Sequence, residues 1–250
     1  LVPLIFESYA HDMAGRVAAG RPRAVLETAA GSGVVTRALA PLLDPEARYV
    51  VTDLNQPMLD RAASRQPEAA RLDWRQADAL ALPFGEGDFD MVCCQFGVMF
   101  FPDRIAGFRE ARRVLTPGGG FIFNVWDRIG ENDFAASVTE TATRLFPEDP
   151  PDFLARIPHG YHDVDRITAD LKAAGFERVA VETIAAESRA DQPEGPAIAY
   201  CQGTPLRNAL EERGASLAEV TAAAAADIAA RFGSGAVTGR ITGHVVTASA

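Results

Sequence analysis

The sequence predicts an α/β fold: a parallel sheet with helices on both faces. Strand and helix patterns alternate at short spacing over the first 125 residues, as such a sheet requires. Phe89 to Cys94 is continuously apolar, as in a strand buried on both faces. A glycine turn, Gly31-Ser32-Gly33, stands directly between an apolar strand and a helix.

The elements follow in order. Ala24-Val25-Leu26-Glu27 reads as the first strand, and the helix after the turn sets Val35, Ala38, Leu39 and Leu42 on one face before Pro41 to Pro45 stop it. Arg48 to Asp53 is the second strand, Gln56 to Arg65 the second helix and Leu72 to Ala77 the third strand, ending at Asp78. After the fourth strand, Asp103 to Leu115 carries Ile105, Phe108, Arg112 and Leu115 at helical spacing. Thr116-Pro117-Gly118-Gly119-Gly120 reads as a turn with no chemical role, and Phe121 to Val125 as the fifth strand.

Beyond Trp126 the pattern changes. A helix over about Asp133 to Phe146 and a Pro-rich stretch from Pro147 to Pro158 precede Asp163, which has the character of an N-cap for Val164, Ile167, Leu171 and Ala174. Residues 176–184 and 240–248 read as strands, and 191–232 as helical, with Ser216-Leu217-Ala218-Glu219 a capping box. One domain spanning 1–250 is expected, with a core over 24–125 and helical insertions at 127–162 and 185–232.

Composition excludes several functions. Hydrophobic residues are 48% and charged residues 23% of 250, as in globular proteins. A net charge of −10 argues against a nucleic-acid binder, which needs a basic face. Cys93, Cys94 and Cys201 lack metal-ligand spacing, so neither a metal nor a disulfide framework is expected. No apolar run approaches the roughly 18 residues of a membrane span, and the expected location is the cytoplasm. The chain begins at Leu1.

The glycine turn lets a ligand approach the backbone, and the helix start offers free N–H groups. Asp53 ends the second strand 20 residues after Gly33, where a carboxylate accepts from ribose hydroxyls. A dinucleotide site would want glycine where Thr36 stands, and Glu27 would repel a pyrophosphate. Glu27 suits a ligand carrying an ammonium group and a sulfonium.

These residues resemble the class I S-adenosylmethionine-dependent methyltransferases, in the small-molecule branch that includes the ubiquinone and menaquinone biosynthesis enzymes. Val25 to Gly33 is similar to their acidic-x-G-x-G-x-G motif, with Ala29 in place of the first glycine. Val50 to Leu59 looks like the ribose-binding segment, Ala77 to Phe84 the adenine-binding stretch, Phe89 to Phe96 the fourth-strand motif and Glu110 to Gly119 the helix-turn before the fifth strand.

The resemblance implies a Rossmann-like seven-stranded, mostly parallel sheet with an antiparallel edge pair, its helical insertions forming a lid. It implies S-adenosyl-L-methionine as cofactor and S-adenosyl-L-homocysteine as product. Glu27 would hold the methionine amino group, and backbone at Ala29, Gly31 and Gly33 would line the methionine portion. Asp53 would bind the ribose, Leu54 and Met58 the adenine face, and Asp78 with Ala79 the adenine edge. Gln95 and Phe96 would lie beside the transferring methyl, and Tyr9 on an N-terminal helix over the cofactor.

Bland readings stand beside these: Asp78 as a turn cap, Met58 as core, and an Ala29 that is tolerated if its φ is negative. His159 and His162 are candidate bases, with surface positions in a helix-entry turn as the alternative; the catalytic residue is otherwise unknown. The expected activity is methyl transfer to a small apolar or aromatic molecule. The alternatives are a cofactor-binding protein without transfer, and a nicotinamide-dependent oxidoreductase.

Overall fold

The structure, a computed structural model, describes residues 2–66 and 72–250. In chain order its main elements are α1 (Glu7–Ala19), β1 (Ala24–Glu27), α2 (Val34–Leu39), β2 (Arg48–Asp53), α3 (Gln56–Ala63), β3 (Leu72–Gln76), β4 (Phe89–Gln95), α4 (Arg104–Val114) and β5 (Leu115–Trp126). There follow α5 (Asp133–Leu145), α6 (Phe153–Arg156), α7 (Val164–Ala173), β6 (Arg178–Ala190), α8 (Glu194–Gly203), α9 (Leu206–Glu212), α10 (Leu217–Phe232) and β7 (Val237–Ser249).

The strands form one seven-stranded sheet in the order β3-β2-β1-β4-β5-β7-β6. β3, β2, β1, β4 and β5 are parallel. Gly118 donates to Ala250 O, and Asp127 to Thr242 O, so partner numbers fall along β7 as they rise along β5 and the two run antiparallel. Thr183 against His244 and Arg178 against Ser249 give β6 the same relation to β7. The antiparallel edge expected at 176–184 and 240–248 is therefore present, with longer strands. Residues 185–190, assigned by sequence to an insertion, continue β6, because an edge strand takes its length from its partner more than from its own propensity.

The chain divides into two compact units. The first comprises Glu7–Val125, Asp163–Thr183 and His244–Ala250; the second comprises residues up to Phe6, Trp126–His162 and Ile184–Gly243. In the first unit, Phe108 stacks on Phe123 at 5.3 Å and Phe176 on Phe121 at 5.8 Å, holding α4 and the turn after α7 to one sheet face. Asp90 accepts from the Arg23 and Ala24 N–H groups, which fixes the start of β1 and gives Asp90 the structural role its position suggests. Asp103, Asp163 and Ser216 cap their helices by accepting from backbone N–H groups, as their residue types predict.

The Thr116–Gly120 segment differs from expectation. It is extended within β5, with Leu115 opposite Phe89 and Gly120 opposite Met91, so β5 spends three more residues than β4 over that stretch. Gly118 absorbs the irregularity with φ +80°, which only glycine adopts without strain. In the second unit α5, α8 and α10 pack on one another. Phe134 meets Phe232 edge-on at 5.3 Å, and Thr141 donates to Asp227 at 2.6 Å. Phe134, Leu154, Tyr200 and Leu206 are buried there, whereas Leu145 and Ile198 face outward.

Candidate functional site

The carboxyl ends of β1, β2 and β4 converge on the first glycine loop. Gly31 (φ +56°) and Gly33 (φ +73°) both lie in the left-handed region. A Cβ on Gly33 would stand 2.9 Å from the Ala62 methyl, so the loop lies close on α3. Ala29 also has positive φ, +51°, contrary to the negative angle expected of a tolerated alanine. Its methyl occupies space that Gly97 leaves: a Cβ there would come within 2.5 Å of it. Phe96, at the end of β4, is left-handed too (φ +50°), so strained non-glycine residues end two adjacent central strands.

Glu27 is 1% exposed, and one carboxylate oxygen, Oε2, accepts from Thr36 Oγ1 at 2.7 Å and from the Tyr49 hydroxyl. Burial pushes its carboxyl up to about 7 against the lowering effect of both donors. The same burial, with Glu27 beside it, raises the Tyr49 hydroxyl well above its ordinary value. Sequence reasoning used Thr36 only as a missing glycine and overlooked Tyr49. The sheet register puts Tyr49 and Glu27 on one face.

Asp53 organises the loop. Its Oδ2 accepts from Gly31 N–H and its Oδ1 from Asn55 N–H, each at 2.8 Å. A carboxylate has about four lone-pair sites, so two bonds leave capacity for a diol. Leu54 and Met58 are 66% and 38% exposed, which removes the reading of Met58 as core and leaves an apolar surface beside Asp53. Asp78 is exposed and caps its own turn, accepting from Leu80 N–H at 2.9 Å; Ala79, within that turn, is half-buried. Gln95 ends β4 opposite Asn124, and buried Tyr9 on α1 meets Phe96 edge-on at 5.1 Å.

A left-handed glycine loop, a half-engaged carboxylate and an exposed apolar pair fit a ligand with an amino-acid tail, a ribose and an adenine. A methyltransferase-domain family model matches residues 25–119, the stretch holding these features. The ubiquinone/menaquinone biosynthesis C-methyltransferase UbiE of Ectopseudomonas mendocina is 32% identical over 168 residues, covering 62% of this chain.

Over residues 25–119 the chain is similar to the methyltransferase-domain family.

The chain spans 65% of the length of that relative, less than two thirds. A putative methyltransferase from Bacillus halodurans aligns over 96% of this chain and 97% of its own with TM-score 0.59 at 20% identity, a likeness of fold. The [4+2]-cyclase SpnF aligns over 96% of this chain and 80% of its own, with TM-score 0.58 and 18% identity.

The two candidate histidines lie in the second unit. His159 is not on the surface as the bland reading held: it is 4% exposed, beside Trp126. Its Nδ1 lies 2.8 Å from Asp127 O. A carbonyl only accepts, so the proton sits on Nδ1 and the lone pair on Nε2. Burial pushes its pKa down to about 4. His162, half-buried, donates from Nδ1 to His159 O at 2.8 Å. His244 pairs with Thr183 and His11 is exposed. Among the described residues no group of three or more His, Cys, Asp or Glu can hold a metal, and no helix is long and apolar enough to cross a membrane.

Proposed function

We propose that the chain transfers a methyl group from S-adenosylmethionine to a small apolar or aromatic molecule. The observation that carries this is the pairing of the Ala29–Gly33 loop with Asp53, whose carboxylate orders Gly31 and retains sites for ribose hydroxyls. When bound, S-adenosylmethionine supplies a methyl on cationic sulfur: the acceptor's lone pair bonds to the methyl carbon as the carbon–sulfur electrons return to sulfur, giving S-adenosylhomocysteine. Glu27 holds the amino group of the methionine tail, Leu54 and Met58 cover the adenine, and Asp78 with Ala79 accepts at its edge. Gln95 and Phe96, presented by the turn at the end of β4, flank the methyl, and Tyr9 braces Phe96.

Transfer needs placement more than acid–base help, because a lone pair held about 3 Å from the methyl already gains much of the rate. The helical second unit buries Phe134, Leu154, Tyr200 and Leu206. Its apolar residues favour a small uncharged acceptor over a macromolecule, as does the net charge of −10. The names of the ubiquinone and menaquinone relatives point to a quinol-like aromatic.

A second reading, cofactor binding without transfer, is favoured by one observation: SpnF, a chain of similar fold, is a [4+2]-cyclase. Calorimetric titration with S-adenosylhomocysteine, with NADH in parallel, tests the first step. Micromolar binding of S-adenosylhomocysteine alone is expected; binding of NADH alone would restore the oxidoreductase reading. Methylation of a 1,4-naphthoquinol then separates transfer from binding.

A further inference from the structure

Asn124 is 0% exposed, and among the described residues neither its Oδ1 nor its Nδ2 has a hydrogen-bond partner. It lies near the carboxyl end of β5, in register with Gln95, so the two side chains share a sheet face. Glu27, Cys93 and Ile122 lie on that same face by the same register. The Asn124 backbone is committed, its carbonyl accepting from Phe96 N–H at 3.2 Å, while the side-chain amide is spent on nothing. Asparagine here is a cost, because a buried amide without partners loses its water and gains no bond in return. Leucine or valine would fill a parallel strand at this position without that penalty.

The place of Asn124 in the sheet indicates what the amide is for. β1, β2 and β3 are laid down outward on one side of the β1–β4 boundary and β5 on the other. The residues suited to the ribose and adenine all follow β1, β2 or β3. Asn124 is on the opposite side, one strand beyond Gln95. A group approaching the methyl from that side belongs to the acceptor.

We propose that Asn124 is an acceptor-binding residue, whose amide pairs with a hydroxyl on an aromatic acceptor. A phenol or enol hydroxyl both donates and accepts, so it satisfies Oδ1 and Nδ2 in turn. The amide is 0% exposed, so an acceptor hydroxyl reaches it only as the surrounding side chains give way. This rests on the methyl-transfer reading above and names the side chain that orients the acceptor.

The test compares wild type, Asn124→Leu and Asn124→Ser in the full chain. The probe is 1,4-dihydroxynaphthalene under reducing conditions, with labelled S-adenosylmethionine. For Asn124→Leu we expect unchanged S-adenosylhomocysteine affinity and a melting temperature raised by about 5 °C, as removal of an unpaired amide stabilises the fold. The KM for the quinol should rise at least about tenfold, and the quinol, expected to raise the melting temperature of the wild-type S-adenosylhomocysteine complex, should no longer do so in the variant. Asn124→Ser, which keeps a donor and acceptor, should recover part of the loss.

A quinol KM within twofold of wild type in Asn124→Leu would overturn the proposal, and so would a lowered melting temperature, which would reveal a structural partner for the amide. A wild type that binds S-adenosylhomocysteine but leaves the quinol untouched removes the aromatic-hydroxyl acceptor, and this proposal with it. A wild type that fails to bind S-adenosylhomocysteine removes the methyl-transfer reading itself.

Discussion

Substituting Glu27 by glutamine should make the chain more stable at pH 8 and leave it nearly unchanged at pH 5. Glu27 is buried, and its carboxyl stands at about 7 in the folded chain against 4.5 for the free side chain. A raised carboxyl favours folding below 4.5, where both states are protonated, and that advantage is lost as pH rises through 7. Above 7 the fold holds a buried charge that the unfolded chain carries in water at no cost. At about 1.4 kcal/mol per pH unit, the gap between 4.5 and about 7 amounts to about 3 kcal/mol. Glutamine cannot ionise, and its carbonyl oxygen still accepts from Thr36 and Tyr49, the two donors that hold the carboxylate. Urea unfolding at pH 5, 6, 7 and 8 gives the difference between variant and wild type directly. That difference should grow with pH by about 3 kcal/mol. A flat difference across this range would show that the carboxyl ionises as in water and that burial does not govern it.

Four other outcomes are expected. S-adenosylhomocysteine affinity should rise about tenfold from pH 6 to pH 8, because its ammonium group favours the ionised Glu27 carboxylate; titration calorimetry in matched buffers checks this. Asp53→Ala should weaken that affinity at least tenfold by the same method, since charge-assisted bonds of roughly 1.5–3 kcal/mol go and the Gly31 N–H loses its acceptor. Ala29→Gly should raise stability by about 1 kcal/mol in urea unfolding, because release of left-handed strain exceeds the added freedom of the unfolded chain. His159→Gln should flatten the acid side of the stability profile. The buried imidazole stays neutral down to about 4, so stability held above 6.5 is lost as pH falls toward 4 and the unfolded chain takes up the proton. This slope is opposite to that of Glu27 over much of the same range. Single variants reveal what the wild-type curve conceals.

The first unit was legible in the sequence because its signals are local. Strand hydrophobicity, the Gly31-Ser32-Gly33 turn and cap residues such as Asp103 and Asp163 act over a few positions. The structure places β1 to β4 within a residue or two of the expected bounds. Asp53 also follows from position alone, since the carboxyl end of a parallel strand meets the neighbouring loop.

Tertiary structure decided what depends on residues far apart in the chain. The sequence reading tolerates Ala29 if its φ is negative, yet its φ is positive and Gly97, 68 positions on, leaves the space into which its methyl turns. The pKa of Glu27 is set by burial and by Tyr49 on the adjacent strand, neither of which its own segment records. Likewise, His159 reads as surface because its flanking residues are turn formers, and only packing beside Trp126 and the Asp127 carbonyl removes it from water. The reach of β6 beyond 184 was set by β7. Asn124 is an ordinary polar residue in an apolar strand until folding buries it and leaves its amide without a partner among the described residues. Sequence by itself determined the order of elements and the chemistry of the glycine loop, because both are written in neighbouring residues. Burial, strain and pairing were left to the fold, because each is a relation between segments that the chain brings together only on folding.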